Sequence, residues 1–80
     1  MTKEQIFEIV KKNINIILPD IDIDSVKIED SLKDDIGANS IDRMDILVQS
    51  MKDLGIKIQM VEFGKAKNIQ GIVDILFANL

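Results

Sequence analysis

The sequence predicts an all-α protein: a small antiparallel helical bundle of three major helices plus a short one, with a long loop between the first two. Three observations predict it. Apolar residues recur at helical spacing in three separate runs, near residues 6–17, 41–54 and 69–76. Each run follows a residue type that caps helices, at Thr2, Asn39-Ser40 and Asn68. The alternating pairs Ile21/Ile23 and Val26/Ile28 find no partner strand elsewhere, and an isolated hairpin would be marginal.

The elements follow in order. Thr2 and Gln5 have the spacing of a capping box, so the first helix starts there. Ile6, Val10, Ile14 and Ile17 form its stripe, with Phe7 and Leu18 beside it, and Pro19 ends it by lacking a backbone donor. Residues 19–39 read as a loop that packs Ile21, Ile23, Val26, Ile28, Leu32 and Ile36 onto the helices, with a helical turn expected near Asp30 to Leu32. Gly37 supplies a tight turn, Asn39-Ser40 opens the second helix, and Gly55 closes it. Ile56, Ile58, Met60, Val61 and Phe63 form a short apolar segment with one helical turn expected around Val61 to Gly64. Asn68 caps the last helix, whose stripe is Ile69, Ile72, Val73 and Leu76. Burial of aliphatic side chains at roughly 1.5 to 3 kcal/mol each makes such a core adequate without a staple.

Composition narrows the function. At 80 residues the chain is expected to form a single domain over 1–80. It has no Cys and no His, which removes disulfides, thiolate metal sites, the commonest general base and the usual nucleophile pairs. A chain this short encloses no typical substrate pocket, so a role in binding or carrying is expected rather than catalysis. The net charge of −4 disfavours nucleic acid and anionic membrane as partners. Between residues 18 and 39, seven acids face two lysines while the remainder is close to neutral, so one acidic face suits basic partners. The N-terminus lacks the apolar run of a signal peptide and no stretch reaches spanning length, which leads us to expect a cytoplasmic protein. A monomer is expected as well. Asp20, Asp22 and Asp24 match the first ligand positions of an EF-hand loop, but Ser25 stands where its glycine belongs and Ser31 where its bidentate glutamate belongs. No metal site is expected.

The second helix carries more apolar surface than a bundle needs. Ile46, Leu47 and Leu54 mark one side, while Ile41, Met44, Val48 and Met51 mark another. The second stripe is expected to be the more exposed and to await a partner. At the helix start, the hydroxyl of Ser40 lies where unpaired backbone N–H groups and the dipole favour a phosphate. If Ser40 served as the N-cap, losing its hydroxyl would cost about 1 kcal/mol.

The stretch Asp35-Ile36-Gly37-Ala38-Asn39-Ser40-Ile41-Asp42 resembles the acyl carrier protein signature D-L-G-x-D-S-L. The resemblance runs without gaps from Leu32 to Leu76 and includes the first helix. It implies that Ser40 carries a covalent 4'-phosphopantetheine derived from coenzyme A, with Asn39 and Asp42 beside the attachment point. It also implies that Ile41, Arg43, Met44, Asp45, Val48 and Met51 meet partner enzymes. Those partners would be a phosphopantetheinyl transferase, an acyltransferase, and ketosynthase-like or HMG-CoA-synthase-like enzymes. The missing Cys and His are then accounted for, because the arm supplies the thiol and the partners supply the chemistry. Asn39 departs from the usual Asp and Ile41 from the usual Leu; Asn caps as well as Asp, and the lost charge bears on transferase choice. The residues from Gly37 to Arg43, with Val61-Glu62-Phe63-Gly64-Lys65-Ala66-Lys67-Asn68-Ile69, most resemble the discrete donor carriers of polyketide β-branching cassettes, which deliver acetyl or its malonyl precursor. A generic polyketide or fatty-acid carrier, a D-alanyl carrier, and a helical interaction module without a prosthetic group are the alternatives.

Overall fold

In the computed structural model, which describes residues 1–80, the three apolar runs are helices α1 (Lys3–Ile17), α2 (Ser40–Leu54) and α3 (Ile69–Ala78). Short 3-10 helices cover Ile23–Ser25 and Met60–Lys65. The capping box of α1 is complete: the Thr2 hydroxyl accepts from the Gln5 N–H at 3.1 Å, and the Thr2 N–H donates to Gln5 Oε1 at 2.8 Å. Gly55 closes α2 in the left-handed region at φ 68°, a conformation that costs a residue without a Cβ little.

Helix α1 packs against both α2 and α3, whereas α2 and α3 make little direct contact with each other. The core is built accordingly, with Ile6, Val10 and Ile14 of α1 meeting Ile46 and Leu47 of α2 and Ile69, Val73 and Leu76 of α3 in one buried cluster. The long loop contributes Val26 and Leu32 to the cluster, the segment after Gly55 contributes Ile58, and the second 3-10 helix contributes Phe63. No helix is long and apolar enough to cross a membrane.

The α1–α2 contact contains a polar network that the apolar pattern did not announce. Asn13, 2% exposed, donates through Nδ2 to Ser50 Oγ at 3.1 Å and to Asp53 Oδ2 at 3.0 Å. The Ser50 hydroxyl in turn donates to the Ile46 carbonyl at 2.8 Å, and Lys12 pairs with Asp53 at 3.0 Å. Satisfied in this way, two buried polar residues are tolerated in the core and fix the two helices in one register.

The loop has more local order than its sequence suggested. The 3-10 helix at Ile23–Ser25 was not expected, and the helical turn expected at Asp30 to Leu32 lies slightly later, where Asp35 and Ile36 N–H both donate to the Ser31 carbonyl. Loop carboxylates shape these turns: Asp22 accepts from the Asp24 N–H, Asp30 from Lys27 and Asp35 from Ser31. Of the acids around Asp20, Asp22 thus acts as a turn former, and no group of three His, Cys, Asp or Glu side chains is placed to hold a metal ion. The loop also reaches α3, with the Ile69 N–H donating to the Asp30 carbonyl at 2.9 Å and the Gln70 N–H to Ile28 at 2.8 Å. Those bonds satisfy helix N–H groups that the helix itself leaves unpaired.

Candidate functional site at the start of helix α2

The long loop delivers its last residues onto the N-terminus of α2 with little freedom. Gly37 turns the chain at φ +82°, a left-handed conformation suited to glycine. Ala38 is buried, and its N–H donates to the Leu32 carbonyl at 2.8 Å. Its carbonyl in turn accepts from Nη1 of Arg43 at 2.8 Å, so a side chain from the first turn of α2 clamps the incoming backbone. Asn39 is the N-cap, its Oδ1 accepting from the Asp42 N–H at 2.7 Å.

This corrects the reading of Ser40 as a cap. Because Asn39 performs that task, Ser40 is the first residue of the helix, and its exposed hydroxyl makes no hydrogen bond within the chain. The backbone N–H groups of Ser40 and Ile41 likewise have no acceptor in the protein. A free hydroxyl beside unpaired N–H donors at the positive end of a helix dipole is a good seat for a phosphodiester. The residues present therefore fit a phosphopantetheine group, with nothing to be displaced to admit it.

The surrounding residues divide sharply. Ile41 is 64% exposed and Met44 46%, and Asp45 is exposed beside them. Asp42, Arg43 and Val48 are half-buried. Met51 is the exception: expected on the exposed stripe, it is 8% exposed, no more open than Leu47 at 6%. The chain reverses at Gly55 and folds back over it, so that the Ile58 N–H donates to the Met51 sulfur at 3.2 Å and the Ile56 N–H to the Met51 carbonyl at 3.1 Å. Met51 is a core residue, and the exposed part of the stripe is confined to the first two turns of α2.

Beside this surface lies a cleft of about 520 Å³ between the long loop, α2, the second 3-10 helix and the start of α3. Arg43 lines it, together with Lys33 and Lys67, while Leu47, Phe63 and Ile72 supply apolar lining. Neither lysine is among the site residues expected from the sequence, although Lys67 lies in the Val61–Ile69 stretch that carries the resemblance. No local pattern marks them, since they come from separate segments that only the fold brings together.

Two other acids have pKa values below the usual carboxylate value, and both lie away from this site. The Asn13 hydrogen bond and then Lys12 lower that of Asp53; Lys3 and then Gln70 lower that of Asp74.

Comparison with known proteins agrees with this geometry. Residues 4–76 match the family model described as the phosphopantetheine attachment site. A polyketide biosynthesis acyl-carrier-protein, AcpK of Bacillus subtilis (strain 168), is 36% identical over 77 residues, covering 96% of this chain and 93% of that one. An acyl carrier protein of Petrotoga mobilis is 32% identical over 80 residues, covering 100% of this chain and 93% of its own. Among solved structures, the crystal structure of the curacin biosynthetic pathway HMG synthase in complex with acetyl donor-ACP contains a chain that superposes with a TM-score of 0.85. That match has 38% identity and covers 98% of this chain and 97% of the other. The fold, the free serine at the helix start and these relatives lead to one conclusion: the chain belongs to the acyl carrier proteins, which carry acyl groups on phosphopantetheine.

Proposed function

We propose that Ser40 is the attachment point of the phosphopantetheine arm and that the chain serves as the acetyl or malonyl donor carrier in polyketide β-branching. The observation that carries the first part is the Ser40 hydroxyl itself, exposed and unbonded at a capped helix N-terminus. In the attachment step Ser40 Oγ attacks a phosphorus of the coenzyme A pyrophosphate. The phosphodiester forms as the bond to the nucleotide half breaks, and on this reading the transferase supplies the base that takes the serine proton. Once bound, the arm supplies the thiol that holds acyl groups as thioesters. The chain's own contribution is to fix that arm and to present it to successive enzymes at high effective concentration.

The donor assignment is supported by the likeness to the acetyl donor carrier crystallised with its HMG synthase and to the polyketide carrier AcpK. On this reading Ile41, Met44 and Val48, with Arg43 and Asp45 beside them, face an HMG-CoA-synthase-like enzyme, and Asn39 and Asp42 shape the attachment point. Met is suited to such a surface because its flexible thioether adapts to an irregular pocket. The reading extends to one carrier domain over residues 1–80, acting as a non-catalytic cytoplasmic monomer.

Intact mass after incubation with coenzyme A and a broad-specificity phosphopantetheinyl transferase tests the site. The wild type gains one phosphopantetheine and Ser40→Ala gains none; modification that persists in Ser40→Ala removes the assignment. The donor role is tested by offering a β-branching synthase this protein and a fatty-acid carrier, both loaded with acetyl. Preference for this protein supports the role, whereas equal transfer from both reduces it to a generic carrier.

A further inference from the structure

The cleft beside α2 has a charge that the bundle does not require. Three cations line it, Lys33, Arg43 and Lys67, against the single carboxylate of Asp34, in a chain whose net charge is −4. None of the three makes an ion pair, although Lys3, Lys11, Lys12 and Lys65 each find a carboxylate within 3.1 Å. Arg43 is the least expected of them. A cation in the first turn of a helix opposes the helix dipole, and its hydrogen bond to the Ala38 carbonyl engages only one of its five donors. Between these charges the lining is apolar, from Leu47, Phe63 and Ile72.

Unpaired cations around an apolar floor complement a ligand with a short apolar stem and an anionic head. Arg43 follows Ser40 by one helical turn, so the cleft adjoins whatever Ser40 carries. The phosphodiester itself belongs at the unpaired N–H groups of the helix start, which leaves the cations of the cleft for a second anion.

We propose that this cleft binds the carboxylate of a carboxyacyl cargo of the malonyl class, and that it favours such a cargo over a neutral acyl group of similar length. The proposal rests on the carrier reading of Ser40. Both groups reach the cleft on the same arm, and only the carboxylated one gains from Lys33, Arg43 and Lys67. With Nη1 held by Ala38, the guanidinium keeps further N–H donors that can take a carboxylate, and the exposed Lys33 and Lys67 add charge at the rim.

The test loads isotopically labelled protein with the bare, acetyl or malonyl arm from the corresponding coenzyme A, and mass confirms each form before amide shifts are compared. The malonyl form is expected to shift the amides of residues 31–34 and 63–68 beyond anything the acetyl form produces. That excess should shrink as salt rises. It should also be lost in Lys33→Gln/Lys67→Gln, and a labelled malonyl carboxyl should titrate lower on the protein than on free malonyl-pantetheine. The wild-type comparison and the salt series need no variant. Identical spectra for the acetyl and malonyl forms overturn the proposal while leaving the carrier reading intact, as does an excess that survives both high salt and the double substitution. A chain that accepts no arm overturns both readings, and the mass measurement shows which has failed.

Discussion

Met44 and Met51 lie two turns apart on the same side of α2, yet Met44 is 46% exposed and Met51 only 8%. Helical spacing places them in one stripe, and spacing alone gives no reason to separate them. What separates them is the segment after Gly55, which folds back and hydrogen-bonds to both the sulfur and the carbonyl of Met51. Nothing equivalent returns over the first two turns. The lower half of α2 is therefore scaffold, tied to α1 through Asn13, Ser50 and Asp53, and the upper half is presented surface.

The largest effect that would break this division is a charge placed on each methionine. Met51→Lys should unfold the domain or lower its stability by about 3 kcal/mol or more, because it buries an unpaired charge. Met44→Lys should change stability by no more than about 0.5 kcal/mol while slowing acyl transfer to the partner enzyme. Thermal melts and transfer kinetics on the two variants check both statements, and a Met44→Lys protein that unfolds would place the presented surface in the core.

A smaller effect probes the scaffold half through its polar network. Asn13→Ala leaves buried Ser50 short of a donor and Asp53 with Lys12 alone, and should cost about 1–3 kcal/mol in urea unfolding. Asp53 adds a pH dependence. Its pKa is held down chiefly by the Asn13 hydrogen bond and then by Lys12, so its contribution is present above the unfolded value and is lost as pH falls through the lowered folded value. Wild-type stability should therefore decline below about pH 4 more steeply than that of Asn13→Ala. Parallel pH profiles for the two proteins would show that the network does not hold the carboxylate.

The smallest effect sharpens the presented half. Asn39→Ala removes the cap of α2 and should cost about 1 kcal/mol, whereas Ser40→Ala, one residue on, should change stability by less than about 0.5 kcal/mol. Denaturant unfolding of both unmodified variants distinguishes them. A larger loss for Ser40→Ala would mean that its hydroxyl is part of the fold and not free for modification.

Much of the molecule was legible because its signals are local. The capping box at Thr2, the stop at Pro19, the Asn68 cap and the turn at Gly55 depend on residues within one helical turn, and each lies where its chemistry put it. The loop is legible as a loop but its 3-10 helix is not, because Asp22 and Ser25 form it through bonds that many Asp- and Ser-rich loops make without becoming helical. Ser40 stands out in the sequence by its place at a loop-to-helix junction and by the signature around it. That the hydroxyl is unbonded emerged only when Asn39 proved to be the cap.

The sequence by itself determined the helices, their caps, the acidic loop and the serine at the start of α2, since each follows from backbone sterics, hydrogen-bond donors and apolar period over a few residues. Only the tertiary structure decided which side of α2 is covered, which polar residues are buried together and which cations share a cleft. Burial and convergence depend on segments distant along the chain. Residues 56–58 close over Met51, Asn13 meets Ser50, and Lys33, Arg43 and Lys67 line one cavity because α1 holds α2 and α3 apart while the long loop bridges them.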